Sequence, residues 1–256
     1  LGDVFVLSLP DKGTSVLAAS FLGGTGDEIP WAIDVDPAGD PVLVGETRSN
    51  DFPVTQGVIM TKARGGGDAF LTRMDPGFRK VTTSTYFGGG KLDIGLGLDV
   101  EGDGKILVSG STFSDGKGAT IPFPTTAGAF STAHAGGEDA FLLRLDPGCR
   151  RPLYSSLYGG SSGEWFYSDS RDSGPGVAVA GITDSKDFPV SQSGGSYGGL
   201  GDGIVGLLDP LPQGASLGCS ASAACSAEPT LLPPHRPKPG SFAVPPLAAH
   251  APARRP

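Results

Sequence analysis

The stretch GDAFLTRMDPGFRKVTTSTYFGG, residues 67–89, is the best preserved part of a motif that recurs along the chain. An aspartate starts each copy, and successive aspartates are 65, 71 and 63 residues apart: Asp3, Asp68, Asp139 and Asp202. From this aspartate to the second glycine of a Gly-Gly pair there are 21 residues in all three complete copies. Repetition with this period indicates an array of similar structural units.

The length of the unit varies mainly after the Gly-Gly pair. From the second glycine to the phenylalanine of a Phe-Pro pair there are 28, 34 and 28 residues, and the six extra residues lie within 115–122. From that phenylalanine to the next aspartate there are 16, 16 and 14 residues. Variation confined to polar, glycine-rich segments is typical of surface loops that join rigid elements.

The local pattern within each copy predicts strands. Residues after each aspartate alternate between two faces, which is the period of a pleated strand. The Asp-Pro-Gly segments 75–77 and 146–148 predict turns, since proline presets φ and glycine accepts a positive φ. A second strand then runs to the Gly-Gly pair, and a hairpin follows in residues 33–45 and 98–108. The sequence therefore predicts four short strands per unit and no sustained helical spacing.

Four antiparallel strands per repeat predict a β-propeller blade, because stacked sheets cover one another's faces. We expect an all-β, β-propeller-type array of four-stranded antiparallel blades. The predicted boundaries are a partial blade 1–24, blades 25–89 and 90–160, and a degenerate partial blade 161–210, followed by a tail. The phenylalanines before proline, Phe52, Phe123 and Phe188, are predicted to pack between blades.

The repeated motifs resemble the bacterial β-propeller repeat known as the SBBP repeat. The resemblance covers roughly Gly2 to Pro210 and rests on segments 20–24, 33–36, 44–47, 49–55 and 67–70, which recur in 86–89, 110–112, 123–125 and 139–141. It implies a secreted or surface-attached bacterial protein, in which such repeats are modules of longer chains. It implies no catalytic residues.

The predicted strand count amounts to about three and a quarter blades, whereas propellers usually close with about four to eight. An open arc leaves an apolar face at each end, so we expect the array to need further blades. These come either from the parent chain, of which the sequence is then a fragment, or from another copy. The sequence starts at Leu1, two residues before an anchor aspartate, which favours a fragment.

The fourth copy departs from the repeat in one strand. Alignment on Gly160 places Asp169 and Arg171 where Ile33 and Val35 would point into the core. Charges at buried strand positions cost several kcal/mol unless they are paired. We therefore expect this strand to be distorted or exposed to solvent.

Composition separates the repeats from the C-terminal segment. Residues 211–256 contain 10 of the 23 prolines, which predicts a disordered tail or linker. The net charge is −8, and the repeat region alone carries −11 because the tail contributes +3. Such an acidic surface argues against nucleic acid as a partner.

No apolar run is long enough to span a membrane, and no signal peptide is present in the given chain.

Matches to catalytic and metal motifs have simpler structural interpretations. The G-x-S-x-G match at 159–163 lies on the repeated Gly-Gly turn, and a second match at 214–218 lies in the tail. Residues 99–104 resemble the start of a calcium loop but lack its final glutamate, so we interpret them as a hairpin turn. With only three histidines, His134, His235 and His250, a triad or histidine-rich metal site is hard to assemble. No cofactor is expected.

An acidic residue follows each Gly-Gly pair by four positions: Glu28, Asp93 and Glu164. Equivalent positions in successive blades lie on an arc, so these carboxylates are the candidates for facing a cation, a basic ligand or a sugar. In the alternative interpretation, each carboxylate accepts backbone N–H groups of its own turn. The anchor aspartates are likewise predicted to be turn acceptors at strand starts.

Two classes of function are compatible with this sequence. The first is a noncatalytic binding or scaffold module of a secreted or cell-surface bacterial protein, which contacts protein or glycan through loops 50–67 and 115–137. The second is a polysaccharide hydrolase or lyase on a propeller scaffold, with acidic catalytic residues in the asymmetric segment 163–172. The first is favoured, because the repeats leave little asymmetric chemistry.

Overall fold

A computed structural model describes residues 2–117, 120–171, 176–190 and 201–208. Over these ranges the secondary structure consists of thirteen strands without a helix. The predicted all-β class is therefore confirmed. The strands are β1 (Val4–Ser8), β2 (Ala18–Leu22), β3 (Glu28–Val35), β4 (Pro41–Thr47), β5 (Asp68–Met74), β6 (Val81–Phe87), β7 (Asp93–Val100), β8 (Ile106–Thr112), β9 (Asp139–Leu145), β10 (Pro152–Tyr158), β11 (Glu164–Ser170), β12 (Val177–Thr183) and β13 (Asp202–Leu208).

These strands form four sheets that follow one another in sequence. The first sheet contains β1 and β2, the second β3 to β6, the third β7 to β10 and the fourth β11 to β13. Every pairing is antiparallel and joins strands adjacent in the chain. The prediction of four strands per complete unit is confirmed in the second and third sheets.

An apolar cluster occupies each junction between consecutive sheets. Val4 and Val6 of the first sheet share a cluster with Phe70 and Tyr86 of the second. The next cluster joins the second and third sheets and includes Val44 and Phe141, among others. A third cluster joins the third sheet to the fourth. Sheet-on-sheet packing therefore supplies the core of this part of the chain.

The phenylalanines before proline lie in these junctions, as predicted. The ring of Phe52 is 4.7 Å from that of Phe70, between the first and second sheets. The ring of Phe123 stacks 4.6 Å from that of Phe141, between the second and third. Phe188 packs against the cluster between the third and fourth sheets.

Two side chains expected in the core are exposed. Ile33 and Val35 on β3 are 58% and 57% exposed. The described first sheet contributes only β1 and β2, whose apolar residues pack against β4, β5 and β6. The face of β3 therefore lacks the neighbour that the repeat supplies elsewhere, where Leu98 and Val100 pack partly buried against the next cluster.

The distortion expected for the strand with the two charges is not found, although Tyr167, Ser168 and Ser170 of this strand are exposed while Asp169 is buried. β11 pairs with β12 from Glu164↔Thr183 to Ser170↔Ala178, and its register shift falls between Phe166 and Ser168. Shifts at the same position occur in β3, between Pro30 and Ala32, and in β7, between Gly95 and Gly97. The irregularity is thus part of the repeat. The two charges are tolerated because they find partners, which are described below.

The Asp-Pro-Gly turns form, but their positive φ angles fall one residue later than predicted. Phe78 has a φ of 55° and Cys149 a φ of 52°, while the preceding glycines are not in this region. The N–H of Phe78 donates to Asp75 O at 2.8 Å, and the N–H of Asp75 donates to Lys80 O at 3.0 Å. A tight turn followed by a left-handed residue closes the hairpin, and the side chains of Phe78 and Cys149 are buried.

Residues 99–104 adopt the hairpin turn predicted for them. Glu101 N–H donates to Lys105 O at 2.8 Å, and Gly104 has a φ of 81°. The predicted tail, 211–256, lies outside the described residues, as do His235, His250 and the match at 214–218. In the ranges that the structure covers, there is no helix of the length and apolarity needed to cross a membrane.

Candidate functional site

The three candidate carboxylates start the first strand of successive sheets, β3, β7 and β11. All three are buried. Each accepts the backbone N–H of the second glycine of its own Gly-Gly pair: Gly24 to Glu28 at 3.1 Å, Gly89 to Asp93 at 2.8 Å and Gly160 to Glu164 at 2.8 Å. These hydrogen bonds are those of the alternative interpretation given above, in which each carboxylate accepts a backbone N–H group of its own turn.

A threonine and a serine complete each corner. The hydroxyl of Thr47 donates to Glu28 at 2.7 Å and that of Ser49 at 2.5 Å. Thr112 and Ser114 donate to Asp93 in the same way, and Thr183 donates to Glu164 at 2.8 Å. The serine N–H also donates to the threonine Oγ1, at 2.9 to 3.0 Å in the three corners. The recurring Thr-x-Ser spacing is the sequence signal of this network, and sequence reasoning did not assign it a role.

The Gly-Gly pair lacks side chains because both glycines are enclosed by these corner groups. A Cβ on Gly23 would lie 2.5 Å from Glu28 Oε2 and 2.7 Å from Asp3 Oδ1. A Cβ on Gly24 would lie 2.6 Å from the Cβ of Ser49. The same groups enclose the pairs in the other sheets. At Gly23 and Gly88 an anchor aspartate and a corner carboxylate thus occupy the space that a side chain would need, and at Gly159 the anchor Asp139 does so.

Two of the four anchor aspartates, Asp68 and Asp139, are turn acceptors, as predicted. Asp68 Oδ2 accepts the N–H groups of Arg64 at 2.9 Å and Gly65 at 3.2 Å. The carboxylate of Asp139 accepts those of Ala135 at 2.8 Å and Gly136 at 3.3 Å. Burial raises the pKa of Asp93 to about 7, and the nearby carboxylate of Asp68 contributes to the rise.

The structure thus places Glu28, Asp93 and Glu164 in three separate sheets, each buried among groups of its own turn. They act there as acceptors that close a corner. Their role in contacting a ligand remains a hypothesis, and solvent-facing groups elsewhere are better placed for it.

The charges of the fourth sheet belong to a network that spans the third and fourth sheets. Arg144 makes two hydrogen bonds to the carboxylate of Glu101, each 2.5 Å long, and Arg171 lies 3.2 Å from the same carboxylate. The hydroxyl of Ser109 donates to Asp169 Oδ1 at 2.5 Å. These partners explain why two charged residues fit at positions that are apolar in the other copies.

Carboxylates from three sheets interact in this region. Burial raises the pKa of Asp169 to about 7, and the charges of Asp99 and Asp34 raise it further. Asp99 Oδ2 and Asp169 Oδ2 have no hydrogen-bond partner. Among the residues that the structure describes, no group of three or more histidine, cysteine, aspartate or glutamate side chains has an arrangement that could hold a metal ion.

The serine of the G-x-S-x-G match at 159–163, the histidine His134 and the buried Cys149 have structural roles. Ser161 follows a strand and precedes another, and its hydroxyl donates to Asp187 at 2.9 Å. The Nε2 atom of His134 lies 3.0 Å from Thr112 O, so this ring is not paired with Ser161. Burial raises the pKa of the Cys149 thiol to about 12, which keeps it protonated at neutral pH.

A solvent-accessible groove lies at the junction of the second and third sheets. Its volume is about 320 Å³, and it was not identified from the sequence because its walls come from distant segments. Loop 50–67, one of the two variable loops, supplies four of the lining residues. The lining residues are Val58, Ile59, Met60, Arg64, Phe87, Pro124, Thr125, Leu143, Arg150, Arg151 and Pro152.

Comparisons with models of known protein families and with curated proteins found no match for this chain. The fold and the corners define its class: an all-β repeat protein whose described part consists of antiparallel sheets packed face to face, with a buried carboxylate at the start of the second, third and fourth sheets.

Proposed function

We propose that the chain is a noncatalytic binding or scaffold module of a secreted or cell-surface bacterial protein, and that it contacts its partner through loops between strands. The observation that carries this proposal is the repeated corner. Glu28, Asp93 and Glu164, the acids best placed in sequence for chemistry, are buried and hydrogen-bonded to their own turns. A catalytic carboxylate must instead reach substrate.

Each sheet is, in this proposal, one blade of a β-propeller-type array of about three and a quarter blades. The meander order of the strands and the apolar cluster at every junction support it. The quoted sequence motifs support the SBBP repeat as the type of blade, and with it a secreted or surface location.

The outer face of the first sheet is built to receive another blade. Phe5 and Phe21 pair across β1 and β2 and are 66% and 77% exposed. Phe70 and Tyr86 occupy the same positions in the second sheet, where they are buried against Val4 and Val6. We infer that the face of Phe5 and Phe21 is covered by a further repeat, supplied by the parent chain or by another copy.

The loops are the parts free to carry specificity. The framework between aspartate and Gly-Gly is fixed in length by the enclosed glycines, whereas residues 115–122 differ in length between copies. Exposed groups in loops 50–67 and 115–137 can therefore change without disturbing the sheets.

A direct test applies the purified chain to arrays of peptides and of bacterial polysaccharides, and assays the same polysaccharides for cleavage. We expect saturable binding without turnover, in the wild type and in Glu164→Gln alike. Cleavage that Glu164→Gln abolishes would refute the proposal and favour the hydrolase or lyase.

A further inference from the structure

We propose that the groove between the second and third sheets binds an acidic peptide segment in which a carboxylate stands next to an apolar side chain. This inference rests on the proposed binding function and names its ligand class. It is carried by the charge, the lining and the rigidity of the groove.

Three arginines line this groove in a protein whose net charge is −8: Arg64, Arg150 and Arg151. All three are exposed. In the part of the chain that the structure describes, none has a carboxylate within ion-pair distance, whereas Arg73, Arg144 and Arg171 each form an ion pair. Burial raises the pKa of Asp68, and the charge of Arg64 lowers it without reversing this rise. The groove is thus a local positive site with guanidinium groups free to bind carboxylates.

The rest of the lining is almost entirely apolar. Loop 50–67 contributes the partly buried Val58 and Ile59, and the third sheet contributes the exposed Pro152. Such a surface stabilises an apolar side chain of the ligand by removing it from water. Guanidinium groups beside an apolar floor favour a ligand that carries both features close together.

The same lining argues against an acidic sugar. Sugars are bound by hydroxyl and amide groups and by exposed aromatic faces, and Thr125 is the one uncharged polar side chain that lines this groove. Its single aromatic residue, Phe87, is buried, so its ring face is not available for stacking. A peptide therefore fits the chemistry better.

Hydrogen bonds from the second sheet and its loop to backbone carbonyls of the third sheet hold the walls in place. Ile59 N–H donates to Cys149 O at 2.8 Å and joins loop 50–67 to the turn that carries Arg150 and Arg151. Arg73 donates to Pro147 O at 2.8 Å in the same turn. A groove fixed before binding loses little entropy when a ligand enters.

The test is a fluorescence anisotropy titration with labelled Gly-Leu-Glu-Leu-Glu-Gly, and with Gly-Leu-Gln-Leu-Gln-Gly as its neutral counterpart. Arg150→Ala combined with Arg151→Ala should weaken binding of the acidic peptide about tenfold or more, which corresponds to a loss of about 1.4 kcal/mol or more in binding free energy. Arg79→Ala with Lys80→Ala is the matched control, because these residues occupy the same turn positions in the second sheet and do not line the groove. The control should bind within about twofold of wild type.

Unchanged melting temperatures show that both double variants fold. The proposal is overturned if the acidic peptide does not bind saturably, if the glutamine peptide binds equally well, or if the control loses as much affinity. An oligouronate that binds in place of the peptide and depends on Arg150 and Arg151 would also overturn it. None of these results bears on polysaccharide cleavage, which tests the proposed function separately.

Discussion

Single residues in the corners set the geometry of the repeat. Gly159 lies against the carboxylate of Asp139, and Gly160 lies against Ser185 and Asp187, so no side chain fits on either glycine. The carboxylate of Glu164 then accepts the Gly160 N–H that the tight turn leaves without a strand partner. The absence of a side chain is therefore what this turn requires of both residues.

Gly159→Ala is therefore expected to destabilise the fold by about 2 to 4 kcal/mol, because the new methyl group displaces a buried carboxylate from its hydrogen bonds. Chemical denaturation of the purified chain measures the loss. Gly66→Ala is the control, since a Cβ there meets nothing within 4 Å. Equal effects of the two substitutions would show that the corner is not tightly packed.

Two buried aspartates predict an unusual pH dependence of the free energy of unfolding. The pKa values of Asp93 and Asp169 are raised from 3.8 to about 7, mainly by burial. At a pH between these two pKa values, the folded state still holds protons on Asp93 and Asp169 that the unfolded state has released. The free energy of unfolding therefore falls as pH rises from about 4 to about 7.

Asp169→Asn should flatten this decline, because the side chain no longer titrates while its oxygen can still accept from Ser109. Denaturant unfolding at intervals from pH 4 to 8 measures the slope. Asp187→Asn is the control: hydrogen bonds from Ser161 lower the pKa of this exposed carboxylate, so it is ionised throughout the range. A slope that Asp169→Asn leaves unchanged would contradict a buried, raised Asp169.

At the scale of elements, the copies differ in the group that accepts the N–H of the residue after the Gly-Gly pair. It is an aspartate side chain in the second and fourth sheets and a backbone carbonyl of loop 115–122 in the third. In the second sheet Asp51 Oδ1 accepts the N–H of Thr25 at 2.8 Å, and in the fourth sheet Asp187 does the same for Ser161 at 2.9 Å. The third sheet has no aspartate at this position. There the carbonyl of Ile121, brought in by the longer loop, accepts the N–H of Gly90 at 2.6 Å.

Replacing residues 115–122 by Asn-Asp should therefore restore the short form of the loop with a change in stability of less than about 1 kcal/mol. The new aspartate takes over the Gly90 N–H. An Asn-Ala replacement of the same length lacks this acceptor and should be less stable in thermal unfolding. The prediction fails if the two shortened loops melt at the same temperature.

The strands and the repeat frame could be predicted because they depend on local alternation and on spacing within one unit. The phenylalanines before proline could be placed between sheets for the same reason. The exposure of Ile33 could not, because it depends on which strands of the neighbouring sheet are present. The partner of Asp169 is Ser109, 60 residues earlier in the chain, and no local pattern reveals such a pair.

The groove could not be predicted from the sequence either, because its lining residues are far apart in the chain. Arg64 and Arg151 come from different copies of the repeat and meet only because two sheets pack face to face. The residues singled out in sequence were those that recur in every copy, and recurrence selected the framework. Specific binding depends on residues that differ between copies.

At the scale of the whole molecule, the described sheets stack through one type of junction, and the first sheet offers the same surface without a partner. A shallow pocket of about 360 Å³ on this surface is lined by Phe5, Val6, Leu7, Ala19, Ser20 and Phe21. Exposed apolar patches of this kind mark interaction sites. The proposed array therefore predicts that the isolated chain associates through this face.

Sedimentation velocity over a range of protein concentrations tests the proposed stacking most directly. We expect the wild-type sedimentation coefficient to rise with concentration, and Phe5→Ser combined with Phe21→Ser to suppress the rise. Ile121→Ser, which changes an exposed apolar residue in a loop, should leave it intact. A wild-type chain that stays monomeric at all concentrations and melts cooperatively would contradict the proposal that its first sheet requires a further repeat.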